Sequence, residues 1–154
     1  MKVTLRLATA NDEAVLLRWR NDPATVCGCI SEAPVSSLTH KAWLANLLRD
    51  PSRRLYIACF DGAPAGTIRA EVLDGGLTEL SWTVAPGMRG KGVGKDMVMT
   101  VIKFLNGTVM AKIKDGNKAS EKIALSAGFV KTGSAQGFSI WTIDTAARLQ
   151  SRAE

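Results

Sequence analysis

Between a segment of alternating apolar residues and a helical pattern lie Arg89, Gly90, Lys91, Gly92, Val93, Gly94 and Lys95. Glycines at alternate positions let the main chain approach a ligand closely and take positive φ. The unpaired N–H groups of a helix start, with the helix dipole behind them, attract an anion. Arg89, Lys91 and Lys95 add positive charge. The chemistry implied is the holding of a diphosphate. Two familiar phosphate loops do not fit. A Walker-type loop fails because Asp96 follows Lys95 and position 89 is not glycine. The dinucleotide fingerprint fails because Lys95 and Met97 stand where its third glycine belongs.

The elements that must position this turn follow from periodicity. Val3, Leu5 and Leu7 alternate with polar residues and predict a strand over 3–7. Asn11 or Asp12 caps a helix carrying Val15, Leu16 and Trp19, and Asn21, Asp22 and Pro23 stop it. Residues 24–35 read as a loop. Ser36 or Ser37 caps a helix over 38–49 with Leu38, Ala42, Leu44, Leu47 and Leu48 inward. A meander of three strands follows, 55–60, 65–73 and 77–84, with Asp61-Gly62 and Asp74-Gly75-Gly76 as turns. On the last of these, Leu80, Trp82 and Val84 face one way, and Glu79, Ser81 and Thr83 the other. The glycine turn enters a helix over 93–105 that ends at Asn106-Gly107. A fifth strand spans 108–113. Asn117 or Ser120 opens a helix that ends at Gly128, and strands 130–132 and 138–143 close the fold, leaving a frayed tail over 145–154. The order is β-α-α-β-β-β-α-β-α-β-β, an α/β class with a core over about 3–143.

Composition narrows the function. The 154 residues, 46% apolar and 22% charged, suit one globular domain over 1–154. No apolar run reaches the roughly 20 residues of a membrane span. The first residues lack an apolar leader core, so a cytoplasmic location is expected. Cys27, Cys29 and Cys59 imply no disulfide framework. One histidine, His40, leaves too few ligands for structural zinc, so no metal is expected. The net charge is +6, and the window from Arg89 to Lys122 holds eight basic residues against three acidic ones. Phe104 is its one aromatic residue, which speaks against single-strand nucleic acid and for a compact phosphate-bearing ligand.

Arg89, Gly92 and Gly94 match R-x-x-G-x-G, and this resembles the acyl-CoA loop of the GCN5-related N-acetyltransferases (GNAT). The opening residues 5–19, the segment 79–94, and residues 117–129 with their asparagine and Gly128-Phe129 pair resemble the same family. The resemblance implies its fold: a mixed, mostly antiparallel sheet with strands four and five splayed. It implies acetyl-CoA as cosubstrate and direct transfer of acetyl to a primary amine, without a covalent enzyme intermediate. Carried over, main-chain groups from Arg89 to Lys95 hold the pyrophosphate, with the Arg89 side chain adding charge. Trp82, Thr83 and Val84 lie beside the pantetheine arm and polarise the thioester. Asn117 contacts the arm or orients the thioester, and Lys118 or Lys122 assists with phosphate.

Glu79 is the first candidate for general base, His40 the second and Glu71 a weaker third. The tyrosine that many members place four residues before the Gly-Phe pair is here Ala124, and the sole tyrosine is Tyr56. Ser120, a water or the loop field then answers for the leaving thiolate. Trp19 and Trp43 read as core or as stacking surfaces for the acceptor, and Arg20 and Asn21 as a helix-end cap or acceptor contacts. Residues 19–23, with His40 and Trp43, resemble the branch that acetylates nucleotide-linked amino sugars. Protein N-terminal acetyltransferases of the ribosomal type are the alternative, and a non-catalytic acyl-CoA-binding module a further one. The acceptor is expected to be a small-molecule amine rather than nucleic acid or membrane. The chain is a monomer or homodimer, the 130–143 hairpin offering a contact.

Overall fold

The structure of the chain, a computed structural model, describes residues 2–150. Its elements run β1 (Val3–Leu7), α1 (Glu13–Arg20), α2 (Pro23–Gly28), α3 (Ser37–Arg49), β2 (Arg53–Phe60), β3 (Ala63–Val72) and β4 (Thr78–Val84). Then come α4 (Val93–Ile102), β5 (Thr108–Lys114), α5 (Lys118–Ala127), β6 (Val130–Ala135), β7 (Phe138–Asp144) and α6 (Thr145–Gln150). One seven-stranded sheet takes the order β1-β2-β3-β4-β5-β7-β6. Every neighbouring pair is antiparallel except β4–β5. That parallel pairing covers only Thr78 with Val109 and Glu79 with Met110. Past Glu79 the two strands diverge, as the splay expected of strands four and five requires.

Helices cover both faces. On one, α4 and α5 pack against Ile68, Ala70 and Leu80, with Met97, Val98, Val101, Ala124 and Phe129 buried there. On the other, Leu16, Trp19, Leu44 and Leu47 cover Leu55 and Ile57. Alternation along β4 assigns its side chains. Leu80 pairs with Ala70 and faces α4, whereas Ser81 pairs with Arg69, which pairs in turn with Leu55 on the α1–α3 face.

Several sequence expectations change. The segment 24–35 is not all loop, because Asp22 and Pro23 open a helix instead of only closing one. The Asp22 carboxylate accepts from the Thr25 N–H and Pro23 takes the first helical position, where its missing N–H costs nothing. Asp12 stands at the N-cap of α1 but makes no side-chain cap bond there, and Thr9 caps the 3-10 turn Ala10–Asp12 that leads into it. Thr9 accepts from the Asn11 N–H while the Asp12 carboxylate accepts from the Thr9 N–H and pairs with Arg6 at 2.8 Å. On α3, Leu38, Ala42 and Leu48 are exposed, and the buried stripe is His40, Leu44 and Leu47 with Trp43 beside it. The tail read as frayed forms α6 over 145–150, and residues 151–154 lie outside the described residues. α4 ends at Ile102, short of 105, and β6 extends to Ala135.

Candidate active site

The divergence of β4 from β5 opens the sheet, and a cavity of about 490 Å³ occupies the gap. Its floor is Thr67, Arg69, Glu79, Ser81 and Thr83 of β3 and β4. Trp19, Arg20, His40 and Trp43 of α1 and α3 roof it, and Lys112, Lys114, Asn117 and Ser120 form the wall across the gap. Gly28, Cys29, Ile30 and Val35 close the outer side.

Glu79 is the one acidic residue in the lining. It is half-buried, and its carboxylate makes no hydrogen bond or ion pair among the described residues. Glu71 lies directly opposite it in the strand register but is not part of the lining. His40 is buried, its ring 5.3 Å from that of Trp43. Burial pushes its pKa below the usual histidine range, with nearby Arg20 adding to that effect and Glu13 opposing it. Its Nδ1 lies 3.9 Å from Glu13 Oε1, too far for a hydrogen bond, so both atoms are buried without partners. The imidazole is therefore held neutral at pH 7.

The glycine turn adopts the conformation its residues suggest. Gly92 precedes α4 with φ +78° and no side chain caps the helix, so the first-turn N–H groups are left for another acceptor. Lys91 and Lys95 are exposed and have no ion-pair partner among the described residues. Val93 and Gly94 are buried, and at Gly94 an added Cβ would meet Ile123 Cδ1 at 2.5 Å. Gly94 thus serves close packing of α4 on α5, while Gly92 serves the turn.

Arg89 is engaged within the protein, and Asn21 stands at the C-terminal cap of α1, one of its two readings. Arg89 donates to Asp22 Oδ2 at 2.7 Å and Thr25 Oγ1 at 2.9 Å, tying the turn to α2. The Asn21 side chain donates to the Val35 carbonyl and accepts from the Val35 N–H, both at 2.7 Å, which pins the segment between. Asn117 caps α5 by accepting from the Ser120 N–H at 3.1 Å, and donates to the Gly28 carbonyl at 3.1 Å while lining the cavity. Trp82 and Thr83 line the cavity, and Val84 does not. The Trp82 Nε1 is buried without an acceptor beside the gap. Lys118 pairs with Glu121, and Lys122 is exposed.

Sequence reasoning did not single out Arg69, Lys112 or Lys114. Arg69 had a signal, since it shares the strand phase of Glu71. Lys114 had none, because its partners Glu32 and the Cys27 carbonyl lie 82 and 87 residues away. Among the described residues, no three His, Cys, Asp or Glu side chains gather as a metal site, and no helix is long and apolar enough to cross a membrane.

A strand edge left open inside the sheet, an uncapped glycine turn at its end and a lone carboxylate in the gap define an acyl-CoA-dependent transferase site. The model of the acetyltransferase (GNAT) domain matches residues 2–130, so the chain belongs to this family, an N-acetyltransferase by class. Solved structures agree on the fold. An aminoglycoside acetyltransferase AAC(6')-Ib in complex with coenzyme A superposes with TM-score 0.85 at 23% identity, covering 98% of this chain and 99% of its own. A domain from Methanocaldococcus jannaschii gives 0.81 at 24%, covering 92% and 97%. Spermidine N-acetyltransferase from Vibrio cholerae, in complex with CoA and spermine, gives 0.81 at 16%, covering 96% and 98%. No curated protein matched the sequence.

Proposed function

We propose that this protein transfers acetyl from acetyl-CoA to the primary amine of a small molecule, with nucleotide-linked amino sugars as the acceptor class. The observation that supports the reading most is the position of Glu79. It lies where β4 leaves β5, between the open edge and the α1–α3 roof. The residues fit the cosubstrate. The β4 edge past Glu79 lacks a strand partner, Trp82 Nε1 lacks an acceptor, and the α4 start lacks a cap.

Acetyl-CoA brings an activated acyl group, so the protein needs only to position and to move protons. Main-chain amides from Gly90 to Lys95 hold the diphosphate, helped by Lys91 and Lys95. The open main chain at 82–84 binds the extended arm as an added strand would be bound. Glu79 takes a proton from the incoming ammonium, directly or through one water, so that the amine can attack. His40, neutral in its buried site, is the second acceptor of that proton. Ser120, in the cavity lining, is the candidate donor to the leaving thiolate, in place of the tyrosine that Ala124 replaces.

Thiol release from acetyl-CoA, measured across a panel of amines, tests the reading. The panel contains amino-sugar nucleotides, N-terminal peptides, aminoglycosides and spermine. Turnover with a small amine is expected. Glu79→Gln should lower kcat by roughly 10²- to 10⁴-fold while coenzyme A affinity holds. Tight coenzyme A binding with no turnover of any amine would leave a binding module instead.

A further inference from the structure

Cationic side chains in the cavity outnumber the groups that could balance them. Arg20 enters from the end of α1. Among the described residues its Nη1 is buried without an acceptor, and its Nη2 donates only to the Ser31 carbonyl, at 3.4 Å. Arg69 rises from the floor on β3 and makes no hydrogen bond or ion pair among the described residues. Lys112 on the wall stands 5.6 Å from the centre of the Phe138 ring. Lys114 is balanced by Glu32. Of the carboxylates nearby, Glu79 pairs with none of these cations, and Glu13 faces His40 at 3.9 Å without reaching either arginine.

A guanidinium keeps its charge at any physiological pH. Burying one of its nitrogens without an acceptor therefore carries an uncompensated desolvation cost. An oxyanion entering the cavity would remove that cost, and the planar fork matches carboxylate or phosphate geometry. Position adds a second constraint. Arg69 lies opposite Ser81, and Glu79 is two residues along β4, so Arg69 and Glu79 are diagonal neighbours on one face. Such neighbours lie roughly 7–8 Å apart. A molecule with its amine at Glu79 would place an oxyanion a few bonds away between Arg20 above and Arg69 below.

We infer that Arg20 and Arg69 form an oxyanion subsite in the acceptor half of the cavity. The subsite selects small amines that carry a phosphate or carboxylate over polycationic amines. This rests on the acetyl-transfer reading above, but it has a readout of its own.

The test compares kcat/KM at saturating acetyl-CoA for glucosamine, glucosamine 1-phosphate, glutamate and spermidine. An anionic amine should exceed both glucosamine and spermidine, and the phosphate and carboxylate arms identify which oxyanion is taken. Arg69→Gln and Arg20→Gln should each cut that preference roughly tenfold to a hundredfold, through KM. Lys103→Gln makes the same charge change on the exposed end of α4 and should leave the preference intact. A preference for spermidine or glucosamine, or arginine variants that keep the wild-type ratio, overturns the inference. Calorimetric titration of glucosamine 1-phosphate into the enzyme with saturating coenzyme A separates the two readings. Binding lost in Arg69→Gln, with no amine acetylated, keeps the subsite and rejects the transfer. Turnover of spermidine alone keeps the transfer and rejects the subsite.

Discussion

Substituting alanine at Gly94 and at Gly92 should have opposite origins and different readouts. At Gly94 the new methyl would sit 2.5 Å from Ile123 Cδ1 and 3.1 Å from both Ile123 Cγ1 and Val84 Cγ2. Carbon atoms pack at about 3.5–4.0 Å, so the contact with Cδ1 must open by about 1 Å. Ile123 is half-buried and its end can swing, at about 0.5–1.5 kcal/mol for a strained rotamer. Crowding in a packed interior raises the total to about 1–3 kcal/mol, and the helix preference for alanine returns about 0.5–1 kcal/mol. Gly94→Ala should thus lose about 0–2.5 kcal/mol, centred on about 1 kcal/mol. Ile123→Val deletes the offending Cδ1 and costs about 0.5–1.5 kcal/mol alone. In the double variant the two losses should sum to about 1 kcal/mol less than additivity demands. Gly92 has nothing within 4 Å of a built methyl, and its φ of +78° supplies the whole cost, about 1–2 kcal/mol. Urea denaturation midpoints give the stabilities, and calorimetry gives coenzyme A affinity, which should fall most in Gly92→Ala. A double variant additive within about 0.5 kcal/mol would refute the packing argument.

Other perturbations follow from single contacts. The hydrogen bond from Arg6 is the main cause that holds the Asp12 carboxylate below its usual range. The stability this confers is present above the unfolded aspartate pKa of about 3.9 and is lost as pH falls through the lower folded value. Asp12→Asn should cost about 1–2 kcal/mol at pH 7, discounted for the exposure of Arg6, and the gap should close in acid denaturation below about pH 4. Burial depresses His40, so the unfolded chain binds its proton first, and stability should decline as pH falls from about 6.5. A His40→Gln variant should flatten that part of the thermal-stability profile. Asn117→Ala should lose about 1 kcal/mol of helix capping, whereas Asn117→Asp keeps the cap and loses only the bond to the Gly28 carbonyl. Melting temperatures of the pair should differ accordingly.

The sequence made the glycine turn, the β4 alternation and the element order legible because each depends on local geometry. The alternation put Glu79, Ser81 and Thr83 on one face without any tertiary information. α3 shows where that reasoning fails. Counting leucines turns Leu38 and Leu48 inward, but the stripe that packs is His40, Trp43, Leu44 and Leu47, with proper helical spacing and a histidine within it. Periodicity favoured the apolar residues over the spacing. Asp22-Pro23 carries both a stop for α1 and a start for α2, and the missing helical period over 24–35 hides the start. The partner of Arg89 is beyond sequence reading, since a charge near a turn does not reveal that Asp22, 67 residues away, already accepts from it. Tertiary partners of that separation decide which polar residues remain available for ligand.

The brief contact between β4 and β5 makes this sheet two unequal blankets stitched at one corner. From Leu80 to Val84 the strand is laced to β3 along one edge and left open along the other, where other folds carry a finished ladder. On the proposed reading the coenzyme arm closes that seam, and its release reopens it. Coenzyme supply then adds to the resistance of the fold to unfolding and to clumping with its neighbours.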